Sequence, residues 1–189
     1  MLFNGICSGQ SNDSIIYLDE VIISKTKVPK EVLLKNKGTR DERVGFYENQ
    51  KIVSLITNIP KGKISSITLF FDVKLYKKPK DLELGLLIFE KVDNGFPGKS
   101  LTNKEIRFIV KGSKKEKIVL DLTDLEINSQ NELFFGFETI NLKGGVFIAE
   151  MIENKNAVSF SQRKSSVEWF VPVRKVPVEL KLNISVVPN

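Results

Sequence analysis

Histidine is absent from the 189 residues, cysteine occurs once, as Cys7, and tryptophan once, as Trp169. Without histidine there is no serine–histidine or cysteine–histidine dyad and no imidazole general base, and the usual zinc sites built from several His and Cys ligands are excluded. A single cysteine forbids an intrachain disulfide. No apolar run is long enough to cross a membrane as a helix. Convincing amphipathic helical spacing is missing too, and no repeat of fixed period is evident, which sets propellers and solenoids aside.

Arginine is scarce, so the net charge of +6, from 29 basic and 23 acidic residues, is carried by lysine. Over residues 51–80, Lys51, Lys61, Lys63, Lys74, Lys77, Lys78 and Lys80 face Asp72 alone, and Lys111, Lys114, Lys115 and Lys117 surround Glu116. Converging on one face, they would form an anion-binding patch. The preferred reading is solvation of turns and discouragement of edge-to-edge pairing, because phosphate recognition enlists arginine forks and stacking aromatics. Nucleic acid is disfavoured as a partner on the same ground.

What is present is strand. The 41 % hydrophobic and 28 % charged content is that of a globular chain. Leu82, Leu84, Leu86 and Ile88 alternate, and Asp93-Asn94-Gly95-Phe96-Pro97-Gly98 follows as a turn, since Asn-Gly favours positive φ and Pro-Gly reinforces the reversal. Ile106, Phe108 and Val110 alternate, as do Ile118, Leu120 and Leu122, and Leu133, Phe135 and Phe137 with Gly136 on the opposite face. A glycine there leaves room for a large neighbour or a close backbone approach. Further strands are predicted at Ile15–Ser24, from Ile52, over Ile67–Leu75, at Val146–Met151 as an inner strand, at Val158–Phe160 and at Val167–Val171. The last, Val176 to Val186, alternates with Glu179, Lys181, Asn183 and Ser185. About ten short strands with frequent turns predict an all-β fold, an antiparallel β-sandwich of jelly-roll type.

Three regions are expected. Residues 1–10, with Leu2, Phe3 and Ile6 before Ser8 and Gly9, read either as the remnant of a signal peptide or as a disordered N-terminus. Residues 11–50 are an N-terminal strand followed by a charged, aperiodic connecting arm in which Val32-Leu33-Leu34 could form one helical turn. Residues 51–189 are the sandwich.

Gly95-Phe96-Pro97-Gly98 with Leu101-Thr102, then Val119-Leu120-Asp121-Leu122-Thr123 with Ile127, then Phe134-Phe135-Gly136-Phe137-Glu138, form a series of turns and strands. That series resembles the C-terminal β-sandwich of secreted Bacteroidetes proteins described as carboxypeptidase-like regulatory-domain-containing. Leu18-Asp19-Glu20-Val21-Ile22-Ile23 is similar to the segment that precedes the sandwich in those proteins. The resemblance implies an accessory fold without catalytic residues, placed outside the cytoplasm: secreted, periplasmic or at the cell surface.

The candidate ligand-binding residues are Trp169, Phe96 and Tyr76, with Tyr47 beside them, as a platform for stacking sugars or peptides. Trp169 shares parity with Val167 and Val171, which argues for core. Phe96 sits inside a turn, from which a ring more often plugs the end of a sandwich. Asp93 and Asn94 carry oxygen donors suited to a structural calcium, with a hydrogen-bonded turn aspartate as the preferred reading and no other cofactor implied. Asp72, Asp93, Asp121 and Glu138 are the carboxylates placed near strand ends, and a glycosidase would need two of them in one cleft. The leading expectation is a non-enzymatic secreted or envelope-associated module that binds a glycan or an envelope protein. A carboxylate-based carbohydrate hydrolase and a lysine-patch anion-binding module are the alternatives.

Overall fold

The computed structural model describes residues 30–189 apart from 39, 77–80, 112–114, 143–145, 155, 164–165 and 173–177, and leaves out the side chains of 40–42, 73–76, 149–150, 178 and 182–183. The signal-peptide reading of residues 1–10 and the strand expected at Ile15–Ser24 lie outside the described residues. Among the described residues thirteen strands follow in order: β1 (Val32–Lys35), β2 (Arg40–Phe46), β3 (Lys51–Thr57), β4 (Gly62–Tyr76), β5 (Asp81–Lys91), β6 (Pro97–Ser100), β7 (Arg107–Lys111), β8 (Lys115–Asp121), β9 (Glu132–Thr139), β10 (Val146–Glu153), β11 (Ser159–Gln162), β12 (Val178–Glu179) and β13 (Leu182–Pro188). A 3-10 turn at Thr123–Leu125 is the one helical element among the described residues. No helix there is long and apolar enough to cross a membrane.

The strands form two sheets, and every strand pairing between them is antiparallel. The first sheet has seven strands along β1-β13-β4-β10-β12, with β8 on β4 and β2 on β10. The second has six along β11-β3-β9-β5-β6, with β7 also on β5. From β7 to β12 each successive strand belongs to the sheet opposite its predecessor, so the chain winds around the core as in jelly rolls. The fold is an all-β antiparallel sandwich, jelly-roll-like.

The core is written in the alternation. Leu82, Leu84, Leu86 and Ile88 on β5, Leu133, Phe135 and Phe137 on β9, and Phe108 and Val110 on β7 are buried from the second sheet. Ile67, Leu69 and Phe71 on β4, with Ile184 and Val186 on β13, meet them from the first. Each such side chain contributes about 1.5–3 kcal/mol of transfer free energy before chain entropy is counted. Ile64 is buried as well, three positions before Ile67. It pairs with Val186 while Ser66 pairs with Ser185, so Ser65 is an inserted residue and the inward parity changes across the bulge.

Residues 32–46 differ from the arm expected there. β1 adds to β13 and β2 pairs with β10 along Arg40–Phe46, with the Phe46 ring fully buried. Val32–Leu34 is therefore strand and not a helical turn, because four residues with an unpaired partner strand alongside gain a hydrogen-bond ladder that an isolated turn cannot offer. The last strand is interrupted between β12 and β13, and the interruption takes Glu179 and Leu180 inward together, at 7 % and 2 % exposure. Val167–Val171 is not a strand either: only Phe170 pairs, as a bridge to Ser161.

Candidate functional site

The second sheet is apolar on its outer face too. Val53 and Leu55 of β3 and Phe134 of β9 form a separate cluster there with Phe160 of β11, and Leu87, Phe89 and Trp169 pack against it. The cover is the returning chain after β11. Ser161 and Phe170 exchange backbone hydrogen bonds of 2.8 and 2.9 Å, which holds the return close to the sheet. Trp169 then stands edge-on to Phe89, with ring centroids 5.5 Å apart and planes at 79°.

Phe96 reaches the same cluster from the β5–β6 turn. Gly95 has φ +85°, its N–H donates to Val92 O, and Asn94 Oδ1 accepts the Phe96 N–H at 3.1 Å. The Phe96 ring lies 4.7 Å from that of Phe160, which in turn meets Phe134 at 5.6 Å. So Phe96 lands on the outer face and does not plug the end of the sandwich. Trp169 is half-buried on that face while Val167 and Val171 are 92 % and 60 % exposed, so the shared parity does not mark core. Tyr76 ends β4 in the other sheet, its backbone paired with Val146, and its side chain is outside the described residues. Trp169 and Phe96 therefore both reach the outer-face cluster, through Phe89 and Phe160 respectively.

Replacing Trp169 by alanine uncovers Phe89 and is expected to lower stability by about 1–2 kcal/mol, the scale of a half-buried ring and one edge contact. A urea midpoint shift corresponding to less than about 0.3 kcal/mol would mean that Trp169 does not cover the cluster.

Beside the cluster lies a cleft of about 500 Å³ lined by Asn49, Lys51, Glu138, Gln162, Arg163, Ser166 and Val167. Its wall is the β2–β3 turn, pinned from several sides. Asn49 adopts φ +52°, a left-handed conformation that asparagine tolerates, and its N–H donates to Thr139 O at 2.9 Å. The Tyr47 N–H donates to Gln50 Oε1, Gln50 Nε2 donates to Ser161 Oγ at 3.0 Å, and the Thr139 hydroxyl donates to Tyr47 O. Opposite the turn, Lys51 pairs in register with Glu138, their charged atoms 4.0 Å apart. Gln162 Nε2 donates to Val167 O at 2.8 Å, and the Arg163 guanidinium lies 5.6 Å from the Phe170 ring centre. Asn49 Nδ2 is buried with no hydrogen-bond partner.

A second cleft, about 300 Å³, lies between the sheets and is lined by Leu34, Lys35, Asn36 and Lys37, by Leu55 to Asn58, and by Asn154 and Glu179. Burial pushes the Glu179 carboxyl above the ordinary carboxylate range, opposed by hydrogen bonds from the Asn154 side chain and the Lys37 backbone. Glu179 Oε2 is without a partner. Alternation predicts a solvent-facing Glu179, and no local signal in the sequence marks it as buried.

The remaining candidates stay dispersed. Asn94 Oδ1 is engaged in its turn, and no group of three or more acidic, His or Cys residues gathers among the described residues. On the β4–β8 ladder Asp121 lies opposite Ser66 and Asp72 opposite Lys115. That offset of six positions is about 20 Å, beyond the ~5–9.5 Å of a glycosidase pair. The Thr123 hydroxyl and backbone N–H hold the Asp121 carboxyl below its ordinary value, the wrong direction for a general acid. Lys63 pairs with Glu126 at 2.9 Å and Lys115 with Asp72 at 3.0 Å, both on the first sheet, whereas Lys51 lies on the second.

Comparison with family models and with curated proteins finds no match. Among solved structures the chain is similar to one from the structure of infectious bursal disease virus, Gx strain, at a TM-score of 0.34 and 12 % identity, over 92 % of this chain. The match spans 46 % of the length of the viral chain.

Proposed function

We propose that this chain is a non-enzymatic, secreted or envelope-associated β-sandwich module whose outer-face cleft binds a glycan. The observation that carries the reading is the lining of that cleft: the Asn49 amide, on a turn pinned by hydrogen bonds to β9 and β11, with the Glu138 carboxylate of β9, the Gln162 amide of β11 and the Arg163 guanidinium that follows it. Planar groups of these kinds donate and accept pairs of hydrogen bonds, which suits vicinal hydroxyls, and a rigid frame spares the ligand the cost of ordering them. Asn49 Nδ2 is a donor still to be satisfied.

Hydrolysis is the weaker reading, because each cleft has a single carboxylate in its lining, Glu138 in one and Glu179 in the other. An anion patch is weaker still, since Lys63 and Lys115 already face carboxylates. The extracytoplasmic placement rests on the resemblance to secreted sandwich proteins.

The test is a panel of neutral and acidic oligosaccharides screened by thermal shift, followed by calorimetry on any that raise the melting temperature. Arg163→Ala and Glu138→Gln are each expected to weaken binding at least about tenfold, equivalent to ~1.4 kcal/mol. Binding unchanged in both variants would remove the cleft from the proposal. Product release from a bound oligosaccharide that disappears in Glu138→Gln would show an enzyme instead.

A further inference from the structure

The second cleft poses a problem of charge that the glycan reading leaves untouched. Glu179 is 7 % exposed, and no lysine or arginine among the described residues forms an ion pair with it. Lys35 and Lys37 are the other charged residues lining the cleft, and both are exposed; Lys37 serves Glu179 through its backbone. A buried carboxylate without a counter-ion is unfavourable, and a group in that position either keeps its proton or acquires a cation.

We propose that the Glu179 cleft binds a primary ammonium group carried by a small polar ligand, with Glu179 as counter-ion and the side-chain amides of Asn36, Asn58 and Asn154 around it. An ammonium has three donors and no acceptor. Glu179 Oε2 supplies one acceptor that nothing else uses, and Asn58 brings a further amide to the lining, whereas Asn154 already donates to Glu179 and accepts the Asn156 N–H. The terminal carboxyl torsion of glutamate is broad, so either oxygen can turn toward the cleft at little cost. With Glu179 ionised, an anionic ligand beside it would add repulsion at the carboxylate, and a neutral one would leave that charge uncompensated. A divalent metal needs more oxygen ligands and more negative charge than one carboxylate gives. At about 300 Å³ the cleft suits a ligand the size of one sugar ring or a dipeptide end.

Ionisation of Glu179 is then linked to binding. Its carboxyl is held above the ordinary range in the folded chain, so an ammonium ligand must displace a proton over that window, and affinity falls as pH drops through it. Stability follows the same sign. A carboxyl whose folded value is raised binds more protons folded than unfolded between the two values, so the ligand-free protein loses stability as pH rises through that window.

Calorimetry with glucosamine and glycinamide, against their N-acetyl forms, separates an amino sugar from a peptide terminus. At least one amine is expected to bind at least tenfold more tightly than its N-acetyl form, with a proton released on binding. Glu179→Gln should lose that preference, and its melting temperature should lack the fall with rising pH expected of the parent chain. Equal binding of amine and N-acetyl forms, an unchanged preference in Glu179→Gln, or no saturable binding of either amine would overturn the proposal. Should Glu179→Gln fail to fold, proton release by the parent chain in buffers of different ionisation enthalpy decides the matter, and its absence counts against the site.

Discussion

Phe137→Ala is expected to lower the free energy of unfolding by about 4 kcal/mol, within the ~3–5 kcal/mol range for deleting a buried aromatic ring. Phe137 is 1 % exposed and makes three ring contacts between the two sheets. From β9 it touches Phe46 of β2 at 5.2 Å, Phe71 of β4 at 5.8 Å and Phe147 of β10 at 6.0 Å, the first two near edge-to-face. All three partners come from the opposite sheet, so the lost volume opens between layers, where rigid ladders on both sides prevent collapse. At ~2–4 °C per kcal/mol for a chain of this size, the melting temperature should fall by about 10 °C. Phe137→Leu, which refills most of the space, should lose about 1–1.5 kcal/mol. A urea midpoint for Phe137→Ala within ~1.5 kcal/mol of the parent, at unchanged slope, would refute the picture of a tightly packed seam.

That seam was legible in the chain because Phe135 and Phe137 fall in a clean alternation, as do the apolar residues of β5 and of β4 from Ile67 onward. Ile64 breaks the pattern through the Ser65 bulge, which only the pairing with β13 reveals. β1 and β2 were hidden for a different reason: Arg40-Asp41-Glu42-Arg43 has neither apolar alternation nor strand propensity, and its strand form comes from the β10 ladder. The outer-face cluster did leave a trace. Ile52-Val53-Ser54-Leu55-Ile56 is apolar on both parities, as expected of a strand covered on both faces. Both clefts were out of reach, because each is assembled from segments more than a hundred residues apart, Asn49 with Gln162 and Lys37 with Glu179. Burial of Glu179 further depends on the break between β12 and β13, which alternation carries straight through.

The second large effect ties the fold to the outer-face cleft. Gly136 lies opposite Val53 on the β3–β9 ladder, and a Cβ added there would lie 1.8 Å from Ile52 O and 2.7 Å from Val53 Cα. Those are backbone atoms, so no side-chain rotation relieves the clash, and β3 must move away from β9. Separation breaks ladder hydrogen bonds worth ~1 kcal/mol each and strains the buried Val53, Phe134 and Phe135 around it. Gly136→Ala is therefore expected to cost at least about 3 kcal/mol, although alanine ordinarily stabilises relative to glycine inside a strand. Gly85 provides the control. It pairs with Glu138 on the neighbouring strand, and its added Cβ would meet nothing closer than Ile140 Cδ1 at 3.5 Å, an ordinary contact. Gly85→Ala should remain within about 0.5 kcal/mol of the parent. Lys51 and Glu138, the next same-face pair along that ladder, line the cleft. A β3 displaced at Gly136 carries Lys51 away from Glu138, so ligand binding should weaken in Gly136→Ala even below its melting temperature. Hydrogen exchange at the Ile52 to Ser54 amides reads the displacement directly. Protection and stability both unchanged in Gly136→Ala would show that β3 and β9 do not approach this closely, and the cleft built on their register would fall with that contact.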